Sequence, residues 1–337
     1  MYITFRVDAS LKMGTGHLMR CLTLANELEQ QNHKIVFICR KLKGNLISLI
    51  KYPVLVLSNN DKLQSDDLYL NWLGATQEKD SEQVIRVIPQ NTDLLIVDSY
   101  ALDEIWHKRL RPYTKKIMVI DDLADRRFDC DILLNQNLGI KRENYKENVP
   151  VNCELLLGCD YALLRPEFSN LREKALEKRK NTKEIKNILI SFGGCDSENI
   201  TYNILKEIGT EFDIVVVLGK SSPHNELIQN YAKDKNIKVI INASNMAELM
   251  LDADLAFGAS GSTSWERCCM GLPTLLFVTA DNQRKIADNL EQLGAVKIIV
   301  NLEENLINFL NNFSIWKAMS EKAQIICDGI GVKRIKI

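Results

Sequence analysis

Short apolar runs recur along the chain, and each is closed by a polar or glycine-rich stretch before a helical pattern begins. The first series is Tyr2 to Val7, Lys34 to Cys39, Val54 to Leu57, Leu94 to Asp98, Lys116 to Asp121 and Ile132 to Asn135. Such runs, bounded by turn residues and alternating with helix-length segments, predict a parallel sheet with helices on both faces. The first run is followed by Leu18, Cys21, Leu22, Ala25 and Leu28 at helical spacing, so that helix buries one face. Gly158 to Phe168 breaks the rhythm, with Pro166 and the charged run Arg172 to Lys183 behind it. That stretch reads as a domain junction followed by a solvated helix. A second series then starts: Ile188 to Ser191, Asp213 to Leu218, Lys238 to Ile241, Asp254 to Phe257 and Thr274 to Val278. The pattern predicts an α/β chain of two Rossmann-like, doubly wound domains, residues 1–165 and 166–320. Residues 321–337 form a tail, and the final helix, Ile315 to Cys327, is placed to cross back onto the first domain. Trp72-Leu73-Gly74-Ala75-Thr76 reads as a loop or helix end reaching the ligand-binding edge.

Composition narrows the function classes. The chain has 337 residues, 46% hydrophobic and 26% charged, with a net charge of −1. That balance gives no bulk electrostatic attraction to nucleic acid or to an anionic membrane. No apolar stretch reaches about 18 residues, and the opening residues have no basic stretch before an apolar one, so neither a membrane span nor a signal peptide is expected. The nine cysteines form no CxxC pair and sit mostly in apolar elements, as reduced thiols of a cytoplasmic protein do. The four histidines are dispersed, which argues against a zinc site. No coiled coil is visible, so a monomer is expected.

In doubly wound sheets ligands bind beyond the carboxyl ends of the strands, and two loops have the composition for it. The first runs Asp8-Ala9-Ser10-Leu11-Lys12-Met13-Gly14-Thr15-Gly16-His17. Gly14 and Gly16 lack a third glycine at dinucleotide spacing, and no acid ends the second strand, so a nicotinamide site is not supported. His17 stands in the first turn of a helix, where the dipole disfavours imidazolium and a neutral ring can act as a general base. Asp8 closes the preceding strand and is placed to orient the ring, while Arg6 and Arg20 can balance charge or meet an anion. Alternatively, His17 is a helix-end residue capped by Asp8 or Ser10. Asp98, Tyr100, Asp121 and Asn135 fall on the same rim, and Asp121-Asp122 reads as a strand end with a turn cap rather than a metal pair.

The second loop is Gly258-Ala259-Ser260-Gly261-Ser262-Thr263, running into a helix that Gly271-Leu272-Pro273 ends. Its free N–H groups and helix dipole suit a phosphate. Glu266 then suits a ribose, since a diphosphate would repel it. The alternative is a capping box made by Ser262 or Thr263 with Glu266. Gly193-Gly194 lets the backbone approach a ligand closely, or is a plain tight turn.

Arg6-Val7-Asp8-Ala9-Ser10, Gly14-Thr15-Gly16-His17-Leu18-Met19-Arg20-Cys21, Trp72 to Thr76, Asp98-Ser99-Tyr100, Ile120-Asp121-Asp122, Tyr161 to Phe168, Ser191 to Gly194 and Gly258 to Pro273 together carry a resemblance over nearly the whole chain. The set resembles the UDP-sugar hydrolases of the pseudaminic acid pathway, which remove UDP from UDP-2,4-diacetamido-2,4,6-trideoxy-β-L-altropyranose. The second half is also similar to the nucleotide domain of MurG-type glycosyltransferases, through Asn245 to Met250, Ala253-Asp254, Glu266 and Gly271-Leu272-Pro273. The resemblance implies a GT-B fold, its two domains facing across a cleft. It implies His17 as the base that activates water, with Ser260, Gly261, Ser262 and Thr263 at the diphosphate, Glu266 at the ribose, Ile241 to Met246 by the uracil, and Asn282 and Gln283 near the sugar. The sequence holds no metal-binding DxD in a clear loop context, so cleavage without metal or cofactor is expected. The partner is then a UDP-linked diacetamido sugar on the route to nonulosonic acids and flagellin glycosylation. A glycosyltransferase, a nucleotide-sugar sensor and a hydrolysing 2-epimerase are the competing readings.

Overall fold

The computed structural model describes residues 1–59, 63, 65–194, 196–209, 211–220, 222–300, 302, 309 and 312–337. Contacts divide the chain into a first unit, Met1–Leu163 with Val332–Ile337, and a second unit, Leu164–Gly331.

The first unit runs β1 (Tyr2–Val7), α1 (Gly16–Gln30), β2 (Lys34–Arg40), β3 (Val54–Leu57), α2 (Leu68–Leu73), α3 (Gln77–Val87), β4 (Leu94–Asp98), α4 (Glu104–Leu110), β5 (Lys116–Ile120), β6 (Ile132–Asn135) and β7 (Glu154–Leu157). The strands form a seven-stranded parallel sheet in the order β3-β2-β1-β4-β5-β6-β7. Successive apolar residues along each strand serve opposite layers, and residues two apart share one. Ile3, Phe5, Val7, Leu94 and Ile96 pack with Leu18, Cys21 and Leu24 of α1. Leu95 and Val97 pack with Trp106 and Leu110 of α4 on the other face. Being covered on both faces is why these strands read as continuous apolar runs.

The second unit runs α5 (Pro166–Asn181), β8 (Asn187–Ser191), α6 (Ile200–Glu207), β9 (Asp213–Leu218), α7 (Asn225–Ala232), β10 (Ile237–Ile241), α8 (Met246–Asp252), β11 (Leu255–Ala259), α9 (Thr263–Cys269), β12 (Thr274–Phe277), α10 (Arg284–Gln292), β13 (Lys297–Ile298) and α11 (Phe313–Ala323). Its parallel sheet is ordered β10-β9-β8-β11-β12-β13. The strand order reverses between β1 and β4 in one sheet and between β8 and β11 in the other. Those reversals are where doubly wound sheets open a crevice for ligands.

The expectation that the last helix crosses back is corrected. α11 buries Trp316 and Met319 in the second unit's core, and Trp316 Nε1 donates to the Asp254 carbonyl at 2.8 Å. Only Val332–Ile337 belongs with the first unit, through Val332 and Ile335. Among the described residues no helix is long and apolar enough to cross a membrane.

Candidate active site at the sheet switch points

In the first unit the chain leaves β1 at Val7, which stands opposite Asp98 of β4. The loop that follows is closed by Gly14 N–H on the Ser10 carbonyl at 2.9 Å, and Ser10 Oγ accepts from Met13 N at 3.1 Å. Gly14 has a φ of +77°, which a glycine adopts without strain. Neither Gly14 nor Gly16 has any atom within 4 Å of where a Cβ would sit, so the loop is open there. α1 starts at Gly16, and His17 lies in its first turn.

His17 Nδ1 is 2.6 Å from Asp98 Oδ1. An ionised carboxylate only accepts, so Nδ1 is the donor, and in the neutral tautomer that this selects the lone pair lies on Nε2. No described residue hydrogen-bonds Nε2. Asp98 also accepts from Arg20 Nε at 2.7 Å and Nη2 at 2.8 Å. Burial alone would raise the Asp98 carboxyl; Arg20 and His17 outweigh it and hold the group well below the usual carboxylate range. Arg20 Nη1 reaches both Asp122 oxygens, at 2.9 and 2.7 Å, and the Tyr100 hydroxyl donates to Asp122 Oδ2 at 2.6 Å. Burial, reinforced by Asp122, pushes the Tyr100 phenol well above its ordinary range, so it stays a neutral donor. The Tyr100 ring meets His17 edge-on, with centroids 4.5 Å apart.

Two expectations fail here. Asp8 does not touch His17. Its Oδ1 accepts from the Arg40 backbone N at 2.6 Å and pairs with Arg6 at 2.8 Å. Arg6 is buried and spends the rest of its guanidinium on Asp80 at 2.6 Å, so it faces no ligand. The reason is strand periodicity. Arg6 and Asp8 alternate with Val7 and point to the face that carries Asp80 and Trp106, whereas Asp98 shares Val7's face with α1. Asp121 serves as the turn cap, accepting from Ala124 N at 2.8 Å and from the Tyr145 hydroxyl at 2.6 Å, while its neighbour Asp122 turns to Arg20.

In the second unit Ser191 of β8 stands opposite Gly258 of β11. Gly193 has a φ of +80°. A Cβ on Gly219 would lie 2.2 Å from the Gly194 carbonyl oxygen, so the two loops approach backbone to backbone. Beyond β11, Ser260 is buried, and its Oγ donates to Gln283 Oε1 at 3.4 Å; Thr279 Oγ1 donates to the same oxygen at 3.0 Å. Among the described residues no group accepts a hydrogen bond from the Gln283 amide nitrogen. Arg267, buried and missed by the sequence reading, holds the loop from below. It donates to the Ala259 carbonyl at 2.7 Å, to Ser264 Oγ at 3.1 Å and to Thr263 Oγ1 at 3.1 Å. A Cβ on Gly258 would meet Arg267 Nη1 at 2.5 Å, so the glycine makes room for the guanidinium.

The capping-box alternative is not formed: Ser262 makes no side-chain cap. Among the described residues no group hydrogen-bonds the Glu266 carboxylate. Burial pushes its carboxyl up to about 7, against the pull of Arg165 and Arg267. Arg165 also donates to the Ser244 carbonyl at 3.4 Å, just before Met246 opens α8. The side chain of Asn282 and the residue Cys195 lie outside the described residues.

Two parallel-sheet α/β units, each with a ligand-type loop at its switch point, make this a GT-B protein. Acinetobacter baumannii MurG shares the fold at a TM-score of 0.66 and 15% identity, covering 98% of this chain and 97% of that one. Residues 167–314 match the glycosyltransferase family 28 C-terminal domain. The chain is 32% identical over 256 residues to the UDP-2,4-diacetamido-2,4,6-trideoxy-beta-L-altropyranose hydrolase of Campylobacter jejuni, covering 75% of this chain and 83% of that one. It belongs to the same family as that hydrolase. It is also 32% identical over 307 residues to an uncharacterized protein of Methanocaldococcus jannaschii, of whose length it spans only 58%.

Proposed function

We propose that this protein hydrolyses UDP-2,4-diacetamido-2,4,6-trideoxy-β-L-altropyranose to UDP and the free diacetamido sugar, as a cytoplasmic step of pseudaminic acid synthesis. The relationship to the Campylobacter hydrolase supports the substrate. The observation that carries the chemistry is the 2.6 Å bond from His17 Nδ1 to Asp98, which selects the tautomer whose lone pair is on Nε2. Nε2 takes a proton from water as its oxygen attacks the anomeric carbon. The bond from that carbon to the phosphate oxygen breaks, and UDP leaves with the electron pair. Asp98 then faces the imidazolium, and Arg20, by keeping Asp98 ionised, holds the dyad in its working tautomer.

The second unit binds the nucleotide in this account. Ser260, Gly261, Ser262 and Thr263 meet the diphosphate, whose growing charge the start of α9 favours. Glu266 accepts from the ribose, Met246 and the residues before it lie by the uracil, and Gly193 and Gly194 let the ligand close on the backbone. Gln283 donates to the sugar, with Asn282 beside it. Gly14, Gly16 and Tyr100 border the base.

The family 28 C-terminal match favours a second reading, transfer of the sugar to an acceptor. Release of UDP and free sugar with no acceptor present separates the two. Prompt release supports hydrolysis, and an intact bound substrate supports transfer.

A further inference from the structure

The stretch Trp72-Leu73-Gly74-Ala75-Thr76 is explained by packing except at Trp72. Leu73 and Ala75 are buried. Gly74 ends α2 at a φ of +70°, and a Cβ there would meet Asn59 Oδ1 at 2.8 Å and Leu42 Cδ2 at 3.1 Å. Thr76 caps α3 by accepting from Lys79 N at 3.3 Å. Trp72 joins none of the hydrophobic clusters of the first unit. Its indole is half-buried, and the rings it meets are Tyr69 at 5.3 Å and Tyr100 at 6.4 Å. Tyr69 stands edge-on to Tyr100 at 5.2 Å, and Tyr100 stands edge-on to His17. No described residue hydrogen-bonds the Trp72 Nε1. A bank of rings therefore runs from His17 through Tyr100 and Tyr69 to Trp72, a half-buried indole outside both of those clusters.

We infer that Trp72, backed by Tyr69 and Tyr100, is a specificity-determining wall for the sugar. This rests on the reading of His17 as the base at the anomeric carbon. A group within reach of His17 must be the sugar, not the uracil or ribose. A pyranose presents C–H faces, and a deoxygenated, acetylated one adds methyl groups. Those are the parts an aromatic face takes up, while hydroxyl-rich sugars gain less from it. Trp72 thus favours sugars that carry methyl and acetamido groups. The sequence signal was the lone tryptophan in a short polar-flanked helix.

The test uses an optical accident of this chain. Trp106, Trp265 and Trp316 are 0%, 1% and 0% exposed, so a collisional quencher such as acrylamide reaches Trp72. In the His17→Ala protein, which preserves the substrate, UDP alone leaves acrylamide quenching of tryptophan emission unchanged. The UDP-linked diacetamido sugar protects it, and Trp72→Phe abolishes the quenchable emission. In steady state Trp72→Ala raises KM about tenfold with little change in kcat, and Trp72→Phe restores most of it, as expected for an aromatic packing surface. If calorimetry finds the UDP-sugar bound while quenching does not change, the wall is overturned and the hydrolase reading stands. If the UDP-sugar binds no better than UDP and is not turned over by the unmodified protein, the hydrolase reading fails and the wall falls with it.

Discussion

Asp98 reaches His17 because it stands opposite Val7 and shares that residue's face of the sheet, whereas Asp8 is turned to the other side. One residue of strand phase therefore decides which carboxylate orients the base. His17→Ala should lower kcat by roughly 10²–10⁴-fold with UDP affinity retained, the usual size of a lost general base. Asp98→Asn should lower kcat by roughly 10²-fold or more, because an amide no longer fixes the tautomer. Asp8→Asn should instead cost about 1–3 kcal/mol of stability by leaving Arg6 short of a partner, with kcat near the unmodified value. Equal kcat losses in the two variants would contradict the pairing. Glu266 makes a pH prediction. Its folded carboxyl is raised to about 7, so the stability it lends below its ordinary range is lost as pH rises towards that value. Glu266→Gln removes this dependence. The variant's stability advantage should grow between pH 4.5 and about 7 and then level off, at on the order of 3 kcal/mol. A flat difference in denaturation midpoints across that window would refute the assignment.

Among the elements, the strand–loop–helix units were legible because strands covered on both faces must be apolar throughout. Gly193-Gly194 and Ser260 to Thr263 were legible as turn and loop chemistry. Three features were hidden. β13 is two residues long and leaves no period to read. The partnership of His17 with Asp98 joins positions 81 apart, and only the paired register of β1 and β4 reveals it. Arg267 reads in sequence as an ordinary helix charge, but it folds back under its own loop into space left by Gly258. Gly258→Ala should consequently displace the guanidinium and cost about 1–3 kcal/mol, the range for overpacking. UDP affinity should fall in step, checked by chemical denaturation and calorimetry. Unchanged stability would mean that the loop does not depend on Arg267.

The chain folds as two units, and residues Val332–Ile337 return to the first of them. Val332 and Ile335 are buried there. A chain ending at Gly331 should lose on the order of 3–6 kcal/mol, from two buried side chains at about 1.5–3 kcal/mol each, seen as a lower unfolding midpoint. No loss would show that the return is not part of that core. At this scale the central proposal is that water aided by His17 releases UDP from a diacetamido sugar. Phosphorus and proton NMR of the purified protein with UDP-2,4-diacetamido-2,4,6-trideoxy-β-L-altropyranose, with chelator and without acceptor, tests it most directly. UDP and free sugar should appear promptly, and at least a hundredfold more slowly in His17→Ala. Substrate that stays intact with the unmodified protein, or equal turnover in the variant, would contradict it.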